Sequence, residues 1–110
     1  MSELAGATVV AEQVKDHPER ARYEIEADGE LGGFVQYRRS DGQLTLVHTE
    51  TDPRFRGRGL GRHLIAAVLD QAREQGESVI PVCPFVRAFI AGHPEYTDLV
   101  PAARRAEFGL

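Results

Sequence analysis

One cysteine, Cys83, is all the chain contains, which excludes an internal disulfide and supplies no metal cluster. No apolar run approaches the roughly 18 residues that a membrane-spanning helix requires. The opening Met1-Ser2-Glu3-Leu4 has neither a basic stretch nor an apolar signal core, so a cytoplasmic protein with no membrane contact is expected. Excess positive charge is missing too. Lys and Arg number 13 against 17 Asp and Glu, a formal net charge of -4, without the basic footprint of a nucleic-acid binder. Repeats, linkers and low-complexity stretches are absent. At 110 residues, 42% hydrophobic and 27% charged, the chain is expected to form one domain, 1–110, around one modest core.

Positive charge is instead concentrated locally, at Arg54, Arg56, Arg58 and Arg62. Interleaved with it are Gly57, Gly59 and Gly61, glycines at alternate positions that open an amphipathic helix. Glycine lets the backbone pass close to a ligand, and the first-turn N–H groups of a helix lack internal partners, so they form a ready anion site. A pyrophosphate suits such a loop. Spacing excludes two competitors. A nucleotide P-loop ends in Gly-Lys-Ser/Thr, whereas Arg62-His63 follows Gly61. The dinucleotide fingerprint needs Gly-x-Gly-x-x-Gly, and its third position holds Arg62 or Leu64.

The flanking pattern supports this reading. Thr8 to Val14 alternates weakly, as a first strand, and His17-Pro18-Glu19 reads as a loop. Arg22 to Ala27 alternates cleanly, with Tyr23, Ile25 and Ala27 on one face. Asp28-Gly29 and Asp41-Gly42 are hairpin signals around a strand from Leu31 to Arg39 and another from Gln43 to Glu50, an antiparallel meander. From Leu60 to Gln75 the period becomes helical, with Leu60, Leu64, Ile65, Val68, Leu69 and Ala72 on one face and Gly76 as terminator. Ser78 to Val82 reads as a buried strand in which Pro81 belongs at an edge or where strands diverge. Pro84 opens a second helix through Ile90, and a further short helix is expected near Thr97 or Pro101. Phe85 and Phe89, four apart on the second helix, are expected to pack inward, unless one of them shields a bound ligand.

The spacing Arg-x-x-Gly-x-Gly at Arg56, Gly59 and Gly61 resembles the acetyl-coenzyme A pyrophosphate loop of the GCN5-related N-acetyltransferases (GNAT). Three further blocks fit a compact subgroup of that superfamily: Val47-His48-Thr49-Glu50, Ile80-Pro81-Val82-Cys83-Pro84-Phe85 and His93-Pro94-Glu95-Tyr96. The resemblance covers about Arg22 to Leu99. It implies an α+β fold with a mixed sheet, meander, glycine-rich loop, main helix, further strand and C-terminal helices. It also implies acetyl-CoA as donor and an amine as acceptor. The strands flanking the main helix would splay to admit the pantetheine arm. The chain lacks the two helices that larger relatives insert after the first strand, so an open acceptor side is expected, fit for a lysine, an N-terminus or a small amine.

Donor-binding candidates are Thr49, Arg54, Arg56, Gly57, Arg58, Gly59, Leu60, Gly61, Arg62, Cys83 and Phe85. Catalytic candidates are His48, Glu50 and Cys83. His48 and Glu50 are two apart on a strand and so share a face, where either can accept the proton an incoming ammonium must lose; otherwise His48 is a half-buried sheet histidine holding a backbone carbonyl and Glu50 an ordinary strand-end carboxylate. Cys83 precedes Pro84 and so falls near a helix N-cap, where the helix dipole lowers a thiol pKa. It is either a transient acetyl carrier, a neighbour of the thioester sulfur, or a small buried hydrophobe. Tyr96 is either an acid for the leaving thiolate or a core residue. No metal is expected, because His48, Cys83 and His93 lack ligand spacing. Two other readings stay open: a CoA-binding module without turnover, and an interaction domain that merely carries the loop. A monomer or weak dimer is expected.

Overall fold

The structure, a computed structural model, describes residues 12–110, so residues 8–11 of the expected first strand lie outside it. Strands β1 (Glu12–His17), β2 (Arg22–Ala27), β3 (Glu30–Ser40) and β4 (Gln43–Thr51) pair in chain order, each antiparallel to the last. Both Asp-Gly turns have positive φ at their two central residues, 54° and 81° at Asp28 and Gly29 and 51° and 77° at Asp41 and Gly42. That is the type I′ geometry that matches strand twist. A parallel fifth strand needs a crossover. Helix α1 (Leu60–Glu74) supplies it and delivers β5 (Ser78–Pro81) beside β4.

The buried residues of α1 are Leu60, Leu64, Ile65, Val68, Leu69 and Ala72, the stripe its sequence period implies. They form one cluster with Tyr23, Ile25, Ala27, Val35, Tyr37, Leu44 and Leu46 of the sheet. Burying such a stripe contributes on the order of 10 kcal/mol before chain entropy is subtracted. Gly76, at φ 72°, ends the helix, with its N–H donating to Arg73 C=O (3.2 Å) and Glu77 N–H to Ala72 C=O (2.9 Å). Helix α2 (Pro84–Gly92) follows with Cys83 at its N-cap and Pro84 at its start. The expected short helix is a 3-10 stretch, Pro94–Leu99, followed by 3-10 turns Ala102–Arg104 and Ala106–Phe108.

Two bulges shape what comes next. Gly32 is an extra residue in β3 between the pairs Glu26–Leu31 and Ile25–Gly33, and a Cβ there would lie 2.6 Å from Leu60 Cδ1. Any side chain there would have to displace the buried Leu60 side chain, so glycine lets the first turn of α1 settle closely onto the sheet. Val47 is the extra residue in β4, between the pairs Tyr37–Leu46 and Gln36–His48. Unbroken alternation would send His48 and Glu50 to the same side as buried Leu44 and Leu46. The bulge inverts the strand, so Thr49 and Thr51 face the helix side while His48 and Glu50 are exposed on the other.

β5 leaves β4 early. Pairing runs from Gln43–Ser78 to Leu46–Pro81, then Cys83 N–H donates to Leu46 C=O (2.9 Å) and the chain turns into α2. Ser78 N–H donates inward to Gly42 C=O (2.9 Å), so strand parity points the N side of Pro81 outward, where no ladder bond is lost. Among the described residues, therefore, no strand pairs with residues 47–51 of β4 on that side.

Candidate active site

A cleft of about 420 Å³ opens where β4 ends and α1 begins. Its lining combines Thr49 and Thr51 of β4, Asp52, Pro53, Phe55 and Arg56 of the following turn, Gly57, Gly59 to Arg62, and Phe85 of α2. Asp52 starts the turn by accepting the Arg54 N–H (2.9 Å). Hydrogen bonds from the Arg54 guanidinium, joined by this amide, hold the Asp52 carboxyl below its usual value. Phe55, Arg56 and Arg58 N–H groups then donate to Asp52, Pro53 and Phe55 carbonyls. Beyond them the pattern stops. Among the described residues no acceptor meets the amides of Gly57, Gly59, Leu60, Gly61 or Arg62, and the next bonded amide is His63, which donates to Gly59 C=O (3.0 Å). Gly57 (φ 87°) and Gly59 (φ 70°) hold the left-handed conformation, and all five residues that carry these amides line the cleft.

The four loop arginines divide into two pairs. Arg56 and Arg62 line the cleft and have no carboxylate partner among the described residues. Arg54 is bound to Asp52 and Glu30 (2.8 and 2.9 Å), and Arg58 to Asp28 and Glu12 (2.7 and 3.2 Å); neither lines the cleft. Leu60 is 3% exposed and contributes mainly its backbone.

Cys83 and Thr49 stand where β5 parts from β4. Cys83 Sγ lies 3.4 Å from Thr49 Oγ1 and is 3% exposed, beneath the cleft wall and not in its lining. The expectation that Phe85 packs inward with Phe89 is corrected for Phe85. Its ring is 41% exposed and lines the cleft, because a side chain in the first turn of α2 faces the gap that β5 vacates. Phe89, by contrast, is buried and stacks on His93 at 4.0 Å. Gly61 faces Phe85 so closely that a Cβ would lie 2.9 Å from Phe85 Cζ and 3.5 Å from Thr51 Cγ2, which makes a narrow neck between the loop and Thr49.

His48 Nε2 lies 2.8 Å from Glu50 Oε2 on the opposite face of β4 from the Thr49 side chain. The Tyr96 hydroxyl donates to Asp70 (2.8 Å) on α1, and burial and this carboxylate raise its pKa. Among the described residues no three His, Cys, Asp or Glu side chains gather to hold a metal ion, and no helix is long and apolar enough to cross a membrane.

Thr51, Asp52, Pro53 and Phe55 line the cleft without having been singled out from sequence. For Thr51 a signal existed, since it continues Thr49 by two, but the parity was hidden by the Val47 bulge. A backbone feature was equally hidden. Asp52 N–H donates to Gly32 C=O (2.8 Å), which sets the alternation of the antiparallel ladder. By that alternation the N–H and C=O of Thr49 and Thr51 point away from β3, toward the side β5 has left.

Comparison with known proteins agrees with this layout. A family model described as GCN5-related N-acetyl-transferase matches residues 22–99. Streptothricin acetyltransferase from Streptomyces lavendulae is 39% identical over 64 residues, which are 56% of this chain and 34% of that protein. The chain thus spans about a third of the length of that curated relative. A GCN5-like protein from Staphylococcus aureus superposes with a TM-score of 0.64 at 22% identity, covering 84% of this chain and 91% of that one. The ribosomal-protein-S18-alanine N-acetyltransferase of Escherichia coli gives 0.50 at 18% identity, covering 71% and 46%. At such identities the two structures speak for the fold alone. With the family model spanning β2 to the 3-10 stretch after α2, the chain belongs to the GCN5-related N-acetyltransferase family.

Proposed function

We propose that the chain transfers an acetyl group from acetyl-CoA to a primary amine. The observation that carries this is the set of amides at Gly57 and at Gly59 to Arg62 that have no partner among the described residues, on a cleft where Arg56 and Arg62 are, among those residues, cations without a carboxylate. Such a site fits a diphosphate: backbone donors and a helix N-terminus supply direction, and guanidinium groups supply charge. Beyond the neck, the free backbone edge at Thr49 and Thr51 suits the two amides of a pantetheine arm, which it would pair as an added strand does. Acetyl-CoA, when bound, supplies a thioester carbonyl open to attack and a sulfur that leaves with its electron pair.

The chain's own groups do the rest. Thr49 and Cys83, paired at 3.4 Å, mark the inner end of the arm's path. Cys83 is proposed as a neighbour of the thioester rather than a carrier, because a thiol 3% exposed offers its sulfur poorly to an incoming carbonyl. Glu50 and His48, across β4 from the Thr49 side chain, are placed to accept through solvent the proton that an alkylammonium must lose before its nitrogen can attack. The nitrogen–carbon bond forms as the carbon–sulfur bond breaks; the first proton reaches solvent through this exposed pair, and the second, shed by the nitrogen as the amide forms, passes through water to the departing thiolate.

A CoA-binding module without turnover has one observation in its favour: the Tyr96 hydroxyl is turned to Asp70 and does not line the cleft, leaving no tyrosine there to protonate a thiolate. One experiment separates the readings. The chain is incubated with acetyl-CoA and a panel of polyamines, lysine peptides and N-terminal peptides, while CoA release and product mass are followed. Turnover with any amine above the blank supports transfer. Binding with no product across the panel supports the module.

A further inference from the structure

Arg54, Arg56 and Arg58 alternate along the loop, yet only Arg56 lines the cleft. Its two neighbours are gripped from outside by one hairpin. In the turn between β2 and β3, Asp28 accepts Arg58 Nη1 at 2.7 Å, and Glu30, two residues on, lies 2.9 Å from Arg54 Nη1. Glu12 of β1 accepts the other Arg58 nitrogen at 3.2 Å. Its second oxygen lies 2.7 Å from His63 Nδ1 on the first turn of α1, so one carboxylate joins loop and helix. Arg58 sits between Gly57 and Gly59, the two residues with φ of 87° and 70°. A clamp at that point acts on the loop's two softest joints at once.

We infer that Asp28, Glu30 and Glu12 are positioning residues for the donor site, and that Arg58 and Arg54 latch the glycine loop rather than bind the donor's phosphates. These pairs are part-exposed and so contribute little to global stability. Their effect falls on order: a loop already held in its binding conformation loses less freedom when a ligand arrives.

Simple electrostatics predicts the opposite sign, which makes the inference sharp. Asp28→Asn and Glu12→Gln each remove negative charge near a site for a polyanion, so Coulomb attraction alone would tighten binding. The latch predicts weaker binding, by roughly 3- to 10-fold for each variant. Asp28→Glu, which keeps the charge on a side chain one methylene longer and still able to meet Arg58, binds more tightly than Asp28→Asn. Titration calorimetry with acetyl-CoA reads the sign, and this arm rests on the proposed function. A second arm does not. In the ligand-free protein, backbone nitrogen relaxation at Gly57, Arg58 and Gly59 should give order parameters near 0.85 in the wild type, dropping toward 0.6 in Asp28→Asn. Wild-type protein that fails to bind acetyl-CoA contradicts the function and leaves the latch to the relaxation result. Unchanged order parameters, or equal or tighter binding by the neutralised variants, overturn the latch.

Discussion

Two glycines two residues apart should respond to the same substitution with different effects on stability. At Gly59 the backbone is left-handed, φ 70°. Alanine there costs roughly 1–2 kcal/mol in local strain. The contact a methyl would make, 3.1 Å from Arg62 Nη2, adds little, because that is the free end of a flexible side chain. Gly59→Ala should therefore lower Tm by about 4–6 °C for each kcal/mol lost. Gly61 is helical, and alanine in a helix gains at most about 1 kcal/mol over glycine. Against this stands a Cβ 2.9 Å from Phe85 Cζ, a ring exposed enough to turn aside. Displacing the ring costs about 0.5–1.5 kcal/mol, so Gly61→Ala should melt close to wild type. Its methyl nevertheless occupies the neck between Thr51 and Phe85, and affinity for acetyl-CoA should fall at least about tenfold, or about 1.4 kcal/mol. The assay is thermal melting with and without ligand. At a hundredfold excess over the wild-type Kd, binding stabilises by about 2.7 kcal/mol, and a tenfold weaker variant retains about half of that rise. A full ligand-induced shift in Gly61→Ala, or equal losses of stability in the two variants without ligand, would contradict a neck at Gly61 and strain at Gly59.

Other consequences follow from the same geometry. Arg56→Ala and Arg62→Ala should each weaken acetyl-CoA about 10- to 100-fold, since hydrogen bonds to charged groups contribute about 1.5–3 kcal/mol; calorimetry showing no change in either would remove them from the site. Intact mass after incubation with acetyl-CoA should show no acetyl on Cys83, and Cys83→Ser, which can still bridge to Thr49, should keep turnover within about tenfold of wild type. The third concerns alkaline pH. Burial raises all three tyrosine hydroxyls, and at Tyr37 a hydrogen bond to Asp16 joins it to push the pKa up to about 12. The folded chain thus keeps a Tyr37 proton that the unfolded chain loses from its ordinary pKa of 10.0 upward. Stability is fully present below that value and declines as pH rises through about 12, which urea melts should show alongside late tyrosinate absorbance.

Much of the fold was legible because local signals agreed with tertiary ones. The Asp-Gly pairs set both hairpins, and the change from a period of two to 3.6 at Leu60 marked where sheet gave way to helix. The glycine loop was legible for a similar reason, since Gly57 and Gly59 stand where φ must be positive. Parity was not legible at Val47, because a bulge inserts a residue without altering composition; His48 and Glu50 therefore change face while Thr51 enters the cleft. The roles of the arginines were equally hidden. Arg58 meets Asp28 and Glu12 across 30 and 46 positions, and charge patterning along the chain carries no record of such pairings. Exposure of Phe85 depended on β5 ending at Pro81, a property of the sheet rather than of the helix that carries the ring.

Amide chemical shifts of labelled protein, titrated with CoA and separately with ADP, report whether the amides at the start of α1 grip a diphosphate. Both ligands should move the Gly57, Gly59, Leu60, Gly61 and Arg62 signals most, and only CoA should reach Thr49 and Cys83. Saturating CoA that leaves those five amides in place, or shifts a different face of the molecule, contradicts that grip.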